Sequence, residues 1–263
     1  MHRLKIALAT RILKQPLRQA LVAVARAGAG GVQLDARSEV PPVELSRTGR
    51  RELVKQLSDL HLSVASVHVP TRRALSDEAY LEYRLDLIRD AMQLAYDLKS
   101  GVVTVRMGAL PDPSDTGPYS LLIDVLNDLA RFGNRVGAVL AVTPASEDPG
   151  RLGPLLAHVK EGPIGLDFDP TVFVAGPQSP SDAFRQLHQW VRHVQVRDAV
   201  RDMDGTVLEV PVGRGDVAWD ELLALLEEAD YRGWLTVIRT AGDDRAGDAT
   251  RAVQYLRNVA ADL

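Results

Sequence analysis

Two aspartates, Asp167 and Asp169, close a short apolar run from Ile164 to Phe168. On a strand, residues two apart face the same side, and two such carboxylates can share acid–base work or hold a divalent cation. The structural alternative is an inner aspartate held by hydrogen bonds and an outer one capping a loop. The same two-residue spacing joins Gln195 to Arg197 and Asp35 to Arg37, and Arg106 ends the run from Val102 to Val105. Arg214 and Arg239 lie nearby in sequence. Guanidinium forks match carboxylate and phosphate through paired hydrogen bonds. The arginines therefore raise the hypothesis of a small anionic ligand: a sugar phosphate, a sugar acid or inorganic phosphate. The alternative is a plug in which Asp35, Asp167 and Asp169 neutralise them. His68, within Ser66-Val67-His68-Val69-Pro70, reads equally as a pocket imidazole or a packed one. His193 falls one layer deeper than Gln195 and reads as a core histidine, His158 and His188 as helix-surface or packing residues. Trp190, Trp219 and Trp234 read as packing, and Arg214 as a solvated charge.

These side chains need a scaffold that brings distant segments together. Apolar runs begin near residues 4, 32, 62, 102, 138, 164, 193 and 235, and amphipathic segments separate them. Helices are predicted at about 16–27, 44–60, 77–98, 119–132, 148–159, 181–190, 216–229 and 248–261. In 77–98 the spacing of Leu81, Leu85, Ile88, Met92 and Ala95 is helical. Strands alternating with helices imply parallel βαβ units, and eight repeats suit a closed (β/α)8 TIM barrel, one domain over 1–263. An open doubly wound sheet often carries a glycine-rich turn after its first strand; here that turn reads Ala9-Thr10-Arg11-Ile12. In a barrel the polar strand ends gather at one mouth, where the chemistry sits. The segment Pro111 to Pro118 is expected to form a surface flap.

The chain has no cysteine, which excludes disulfides, thiolate metal sites and a cysteine nucleophile. Its net charge of −4 argues against a nucleic-acid partner bound through bulk electrostatics. Arg11, Lys14 and Arg18 interrupt the early apolar residues, so neither a signal peptide nor a membrane span is expected, and the cytoplasm is the default location.

From residue 160 to 240 the chain resembles the xylose isomerase-like TIM barrel family of sugar isomerases and epimerases. His193-Val194-Gln195-Val196-Arg197-Asp198 is similar to its His-Val-His-Val-Lys-Asp. Pro211-Val212-Gly213-Arg214-Gly215-Asp216-Val217-Ala218-Trp219 is similar to its Gly-x-Gly-Asp-Val-Asp-Trp loop. Tyr231-Arg232-Gly233-Trp234-Leu235-Thr236-Val237-Ile238-Arg239 is similar to Tyr-x-Gly-Trp-Leu-x-Val-Glu-Arg, and Gly165 to Pro170 to its sixth-strand end. The resemblance implies a divalent metal held by two glutamates, an aspartate and a histidine, polarising sugar oxygens while carboxylates shuttle a proton. Residue by residue, those ligands fall on Thr143, Asp169, Gln195 and Ile238, and a further histidine three residues after the aspartate falls on Val172. Arg106, in Arg106-Met107-Gly108, takes the histidine of a His-Pro-Gly motif. Only Asp169 is retained, so no metal or other cofactor is expected. A shifted alignment could bring in Glu209 or Glu221.

Three functional readings follow: a non-catalytic barrel that keeps a small-molecule pocket, an isomerase or epimerase with an altered and metal-free site, or a structural protein with an idle pocket. The residues expected to line a ligand site are His68, Arg106, Asp169, Gln195, Arg197 and Arg239. A small anionic carbohydrate or phosphate and a second copy of the chain are the partners considered.

Overall fold

The computed structural model describes residues 4–145 and 148–262. The eight apolar runs form the strands β1 (Lys5–Ala9), β2 (Gly31–Asp35), β3 (Ser63–Val69), β4 (Val102–Gly108), β5 (Val139–Pro144), β6 (Ile164–Phe168), β7 (Val191–Val196) and, after a hairpin, β10 (Trp234–Val237). They close into a ring in the order β1-β10-β7-β6-β5-β4-β3-β2. Every pair is parallel, and Lys5↔Trp234 through Leu8↔Val237 seal β1 to β10. Each strand starts within two residues of its sequence expectation. β2 and β6 are buried along their whole length, as expected of parallel strands covered by helices on one side and barrel interior on the other.

The helices are α1 (Leu17–Ala27), α2 (Arg47–Asp59), α3 (Leu81–Asp97), α4 (Thr116–Val136), α5 (Pro149–Ala157), α6 (Thr171–Val174), α7 (Pro180–Leu187), α8 (Trp219–Glu228) and α9 (Arg245–Asp262). Each longer one turns an apolar stripe onto the strands. In α4 the stripe is Leu122, Val125, Leu126, Leu129 and Ala130, each large side chain contributing about 1.5–3 kcal/mol on burial. Several boundaries differ from expectation. α2 begins at Arg47 because the Ser46 hydroxyl accepts from Gly49 N at 3.1 Å and caps it. The exposed 112–118 segment is only partly a loop, since α4 already starts at Thr116.

Strict alternation fails twice among the described residues: two helices, α6 and α7, join β6 to β7, and a hairpin follows β7. Between β7 and α8 the chain makes an antiparallel hairpin, β8 (Asp198–Arg201) with β9 (Val207–Val210). Asp198 fixes its base: the carboxylate accepts from the backbone N–H of Ala199, Gly213, Gly215 and Val217 at 2.8–3.2 Å. Gly215 is required there, because a Cβ would lie 2.1 Å from Asp198 Oδ1. Among the described residues no helix is long and apolar enough to cross a membrane.

Candidate functional site

The polar residues gather at the C-terminal strand ends in two tiers. The lower tier is a closed network. Asp167, fully buried, receives Thr143 Oγ1 at 2.6 Å and Gln195 Nε2 at 2.6 Å, and lies 2.7 Å from His193 Nδ1. His193 Nε2 meets Thr236 Oγ1 at 2.7 Å and Ser66 Oγ at 3.1 Å, and Gln33 Nε2 donates to that same Ser66 hydroxyl at 2.9 Å. Burial opposes the Asp167 charge, but His193, Thr143 and Gln195 outweigh it and hold the carboxyl below its usual range. Both oxygens of Asp167 are thus spent inside the fold.

The upper tier is the rim. Asp169 Oδ1 accepts Thr171 N at 3.0 Å and Thr171 Oγ1 at 2.6 Å, and Oδ2 takes Arg197 Nη1 at 2.5 Å. Arg197 also lies 3.3 Å from Glu209, which reaches the rim from β9. Glu209 accepts Thr240 N at 3.0 Å as well as the Thr240 hydroxyl, and lies 3.7 Å from Arg239. Burial raises the Glu209 carboxyl, but the Thr240 bonds and Arg197 prevail and lower it. Arg239 Nε donates to Asp248 on α9 at 2.9 Å and the side chain is buried. Glu221, the other acid a shifted alignment could supply, lies on α8 and pairs with Arg185 and Ser181.

The residues expected from sequence therefore separate. Asp169, Arg197 and Arg239 are locked in ion pairs, and Gln195 belongs to the lower network. Arg106 and Arg37 are exposed, and neither guanidinium has a partner among the described residues. Arg214 is exposed too. His68 bonds Thr104 Oγ1 through Nδ1 at 3.1 Å, and its Nε2 has no partner among the described residues. Burial, then the neighbouring Arg11 charge, push its imidazole down to about 3, so it is neutral. Asp35 turns the chain out of β2 by accepting Arg37 N and Ser38 N at 2.9 and 2.8 Å. His158 and His188 are exposed and cap the C-terminal ends of α5 and α7; Trp219 is buried, and Trp234 packs over Gly31. Gly108 keeps its place in Arg106-Met107-Gly108 because φ is +88° and a Cβ would lie 2.3 Å from that of Ala74.

Sequence reading missed three rim and wall residues. Arg11, at the end of β1, donates through Nη1 to Gln33 Oε1. Glu39 accepts Thr10 Oγ1 at 2.6 Å and Asp35 N at 2.8 Å; burial raises its carboxyl above the usual range despite these bonds. Gln33 could have been found two residues before Asp35, and Thr10-Arg11 as the only polar pair where the first strand ends. Away from the mouth, an open groove of ≈ 630 Å³ runs along α1, with Arg18 and Arg26 among its walls, and contains no strand-end residue.

A family profile described as xylose isomerase-like TIM barrel matches residues 21–259, and the chain belongs to that family. Among solved structures, a xylose isomerase domain protein from Planctomyces limnophilus superposes with a TM-score of 0.87 at 20% identity, covering 99% of both chains. A xylose isomerase-like TIM barrel protein from Mycobacterium smegmatis, in complex with magnesium, gives 0.80 at 18%, over 98% of this chain and 97% of that one. The 3-keto-D-glucoside 4-epimerase from E. coli gives 0.78 at 14%, over 97% and 100%. A comparison with curated proteins finds no match.

The metal that the family implies does not fit these residues. Among the described residues, no group of three or more His, Asp or Glu side chains is placed to hold an ion. Ile238 is buried and apolar, Thr143 and Gln195 donate to Asp167, and Asp169 is occupied by Arg197. The cation bridging the rim carboxylates Asp169 and Glu209 is a guanidinium tethered to the chain.

Proposed function

We propose that this chain is a metal-independent member of its family whose barrel mouth binds a small anionic carbohydrate and does not carry out metal-dependent isomerisation. One observation carries the reading: Asp169, the one retained ligand, gives both oxygens to Thr171 and Arg197. An ion would have to displace Arg197 from Asp169 and Glu209, and among the described residues no third His, Asp or Glu is placed to join them; divalent sites draw their affinity from several ligands. The exposed Arg106 and Arg37 and the open Nε2 of His68 leave hydrogen-bonding capacity at the mouth, which favours a pocket over an idle plug. That the E. coli neighbour is an epimerase of a keto-glucoside supports a carbohydrate ligand.

Manganese, cobalt or magnesium at micromolar concentration should leave the melting temperature unchanged, because only an ion that binds the native state stabilises it. A rise of several degrees with manganese would overturn the reading. Sugar acids or sugar phosphates at millimolar concentration should give calorimetric heat, and Arg106→Ala should reduce it.

A second reading, a metal-free isomerase, rests on Glu39, a rim carboxyl whose Oε1 has no partner among the described residues. It requires solvent deuterium to enter a bound sugar at the carbon beside its carbonyl. Absence of exchange with every sugar that binds would exclude it.

A further inference from the structure

Arg11 differs from every other arginine around the barrel mouth. Arg197 and Arg239 are consumed by carboxylates, and Arg37, Arg106 and Arg214 are exposed. Arg11 is half-buried, emerges from the short 3₁₀ turn Thr10–Leu13 at the end of β1, and makes one hydrogen bond. That bond is rigidly set. Gln33 faces Ala9 across β1 and β2, and its amide nitrogen is engaged by Ser66 Oγ at 2.9 Å, so its Oε1 is turned to Arg11 Nη1. No carboxylate among the described residues forms an ion pair with Arg11. Its Nε and Nη2 have no partner among the described residues, although neither is sealed from solvent. Burial is the largest influence on this guanidinium and disfavours its charge, while Asp35, Glu39 and Asp167 act through space to favour it. A desolvated, half-satisfied cation gains most from a ligand that completes its hydrogen bonds.

The surroundings also select the ligand's charge. Asp35, Glu39 and Asp167 are the acidic groups whose fields act most on Arg11, and Arg197 is the cation that opposes them most. Arg197 is already shared between Asp169 and Glu209. A phosphate dianion would bring two charges against these carboxylates for the one half-buried guanidinium; a carboxylate brings one charge and two oxygens for the free fork. His68, also within the field of Arg11, adds no positive charge, and its Nε2 is open to a sugar hydroxyl.

We infer that Arg11, oriented by Gln33, is the residue that takes the anionic group, and that this group is the single carboxylate of a sugar acid. The inference rests on the mouth being an anionic-carbohydrate pocket and names the anchor and the ligand class. Arg11→Lys keeps the charge but loses the fork; Arg11→Gln loses both.

The test is calorimetric titration of the intact chain with D-gluconate, D-glucuronate, D-glucose 6-phosphate and D-glucose. Wild type should bind a sugar acid more tightly than the phosphate or the neutral sugar. Arg11→Lys and Arg11→Gln should each weaken that binding about tenfold or more, and Arg106→Ala about threefold or less. In parallel, the Arg11 Nε–H resonance of wild type should shift on adding the sugar acid, a readout that does not depend on any variant folding. If a sugar acid binds but the resonance stays still and both Arg11 variants bind normally, the Arg11 assignment is overturned while the pocket reading stands. Tighter binding of the phosphate overturns the carboxylate assignment alone. No binding of any anion overturns the pocket reading, and this inference with it.

Discussion

Lowering the pH from 7 to 4 should destabilise wild type by about 3 kcal/mol more than it destabilises His68→Gln. The imidazole is pushed from 6.5 down to about 3, by burial first and by the Arg11 charge second. A base whose folded pKa is lowered costs nothing well above 6.5. Between 6.5 and 3 the unfolded chain binds a proton that the folded chain refuses, so stability falls as pH falls. At pH 4 the unfolded imidazole is almost wholly protonated and the folded one about a tenth protonated, which at about 1.4 kcal/mol per pKa unit gives the stated figure. In a protein of this size it corresponds to roughly 6–12 °C in melting temperature. Glutamine can still bond Thr104 and carries no titrating group, so losses from carboxylates common to both proteins cancel in the difference. Urea unfolding of the two proteins at pH 7, 5.5 and 4 measures it. Parallel pH profiles, or an imidazole titrating near 6.5 in NMR of the folded protein, would refute the assignment of His68 as a half-buried neutral base.

Gly215→Ala should cost about 2–4 kcal/mol, since its Cβ would meet Asp198 Oδ1 at 2.1 Å and Ala199 O at 2.5 Å; an unchanged urea midpoint would contradict that geometry. Asp198→Ala should strand four backbone N–H groups, each costing about 1–3 kcal/mol where water cannot reach it, and open the β8–β9 turn to limited proteolysis near Gly205. Glu209 has the opposite sign to His68 in molecular terms. Its carboxyl is held below the usual range, so its contribution is complete above about pH 4.5 and fades as pH drops through the folded value. Glu209→Gln should therefore flatten the acid limb of the stability profile below pH 4.5, and a limb of unchanged steepness would show that the Arg197 and Thr240 contacts contribute nothing.

The barrel was legible because its signal is repeated. Each apolar run is short, bounded and followed by a helical period, and eight repeats leave few alternative topologies. The hairpin was not read, although Asp204-Gly205 between Val200 and Val207 is a turn signal of the right kind; Gly205 indeed has a φ of +87°. Its two four-residue strands lack a long apolar run, and their anchor is a carboxylate gripping backbone, which leaves no periodic trace. At the mouth, parity placed Asp167 and Gln195 on the interior of the barrel. It could not say that they would bond each other, because pairing across β5, β6 and β7 depends on the register around the ring. Glu209 reached Arg197 only by way of the hairpin, and Arg11 was passed over because its strand is short and its turn has no recognisable motif.

The seam between β1 and β10 has a consequence for how the chain is made. Lys5 finds its partner at Trp234, so one edge of the first strand waits while roughly 230 residues are synthesised, on the order of ten to forty-five seconds at about 5–20 residues per second. Throughout that interval the nascent sheet is open, with an apolar, unpaired edge of the kind that recruits other chains. Slowing elongation after β7 should therefore raise the yield of aggregated nascent chains, whereas the same pause after β10 should not.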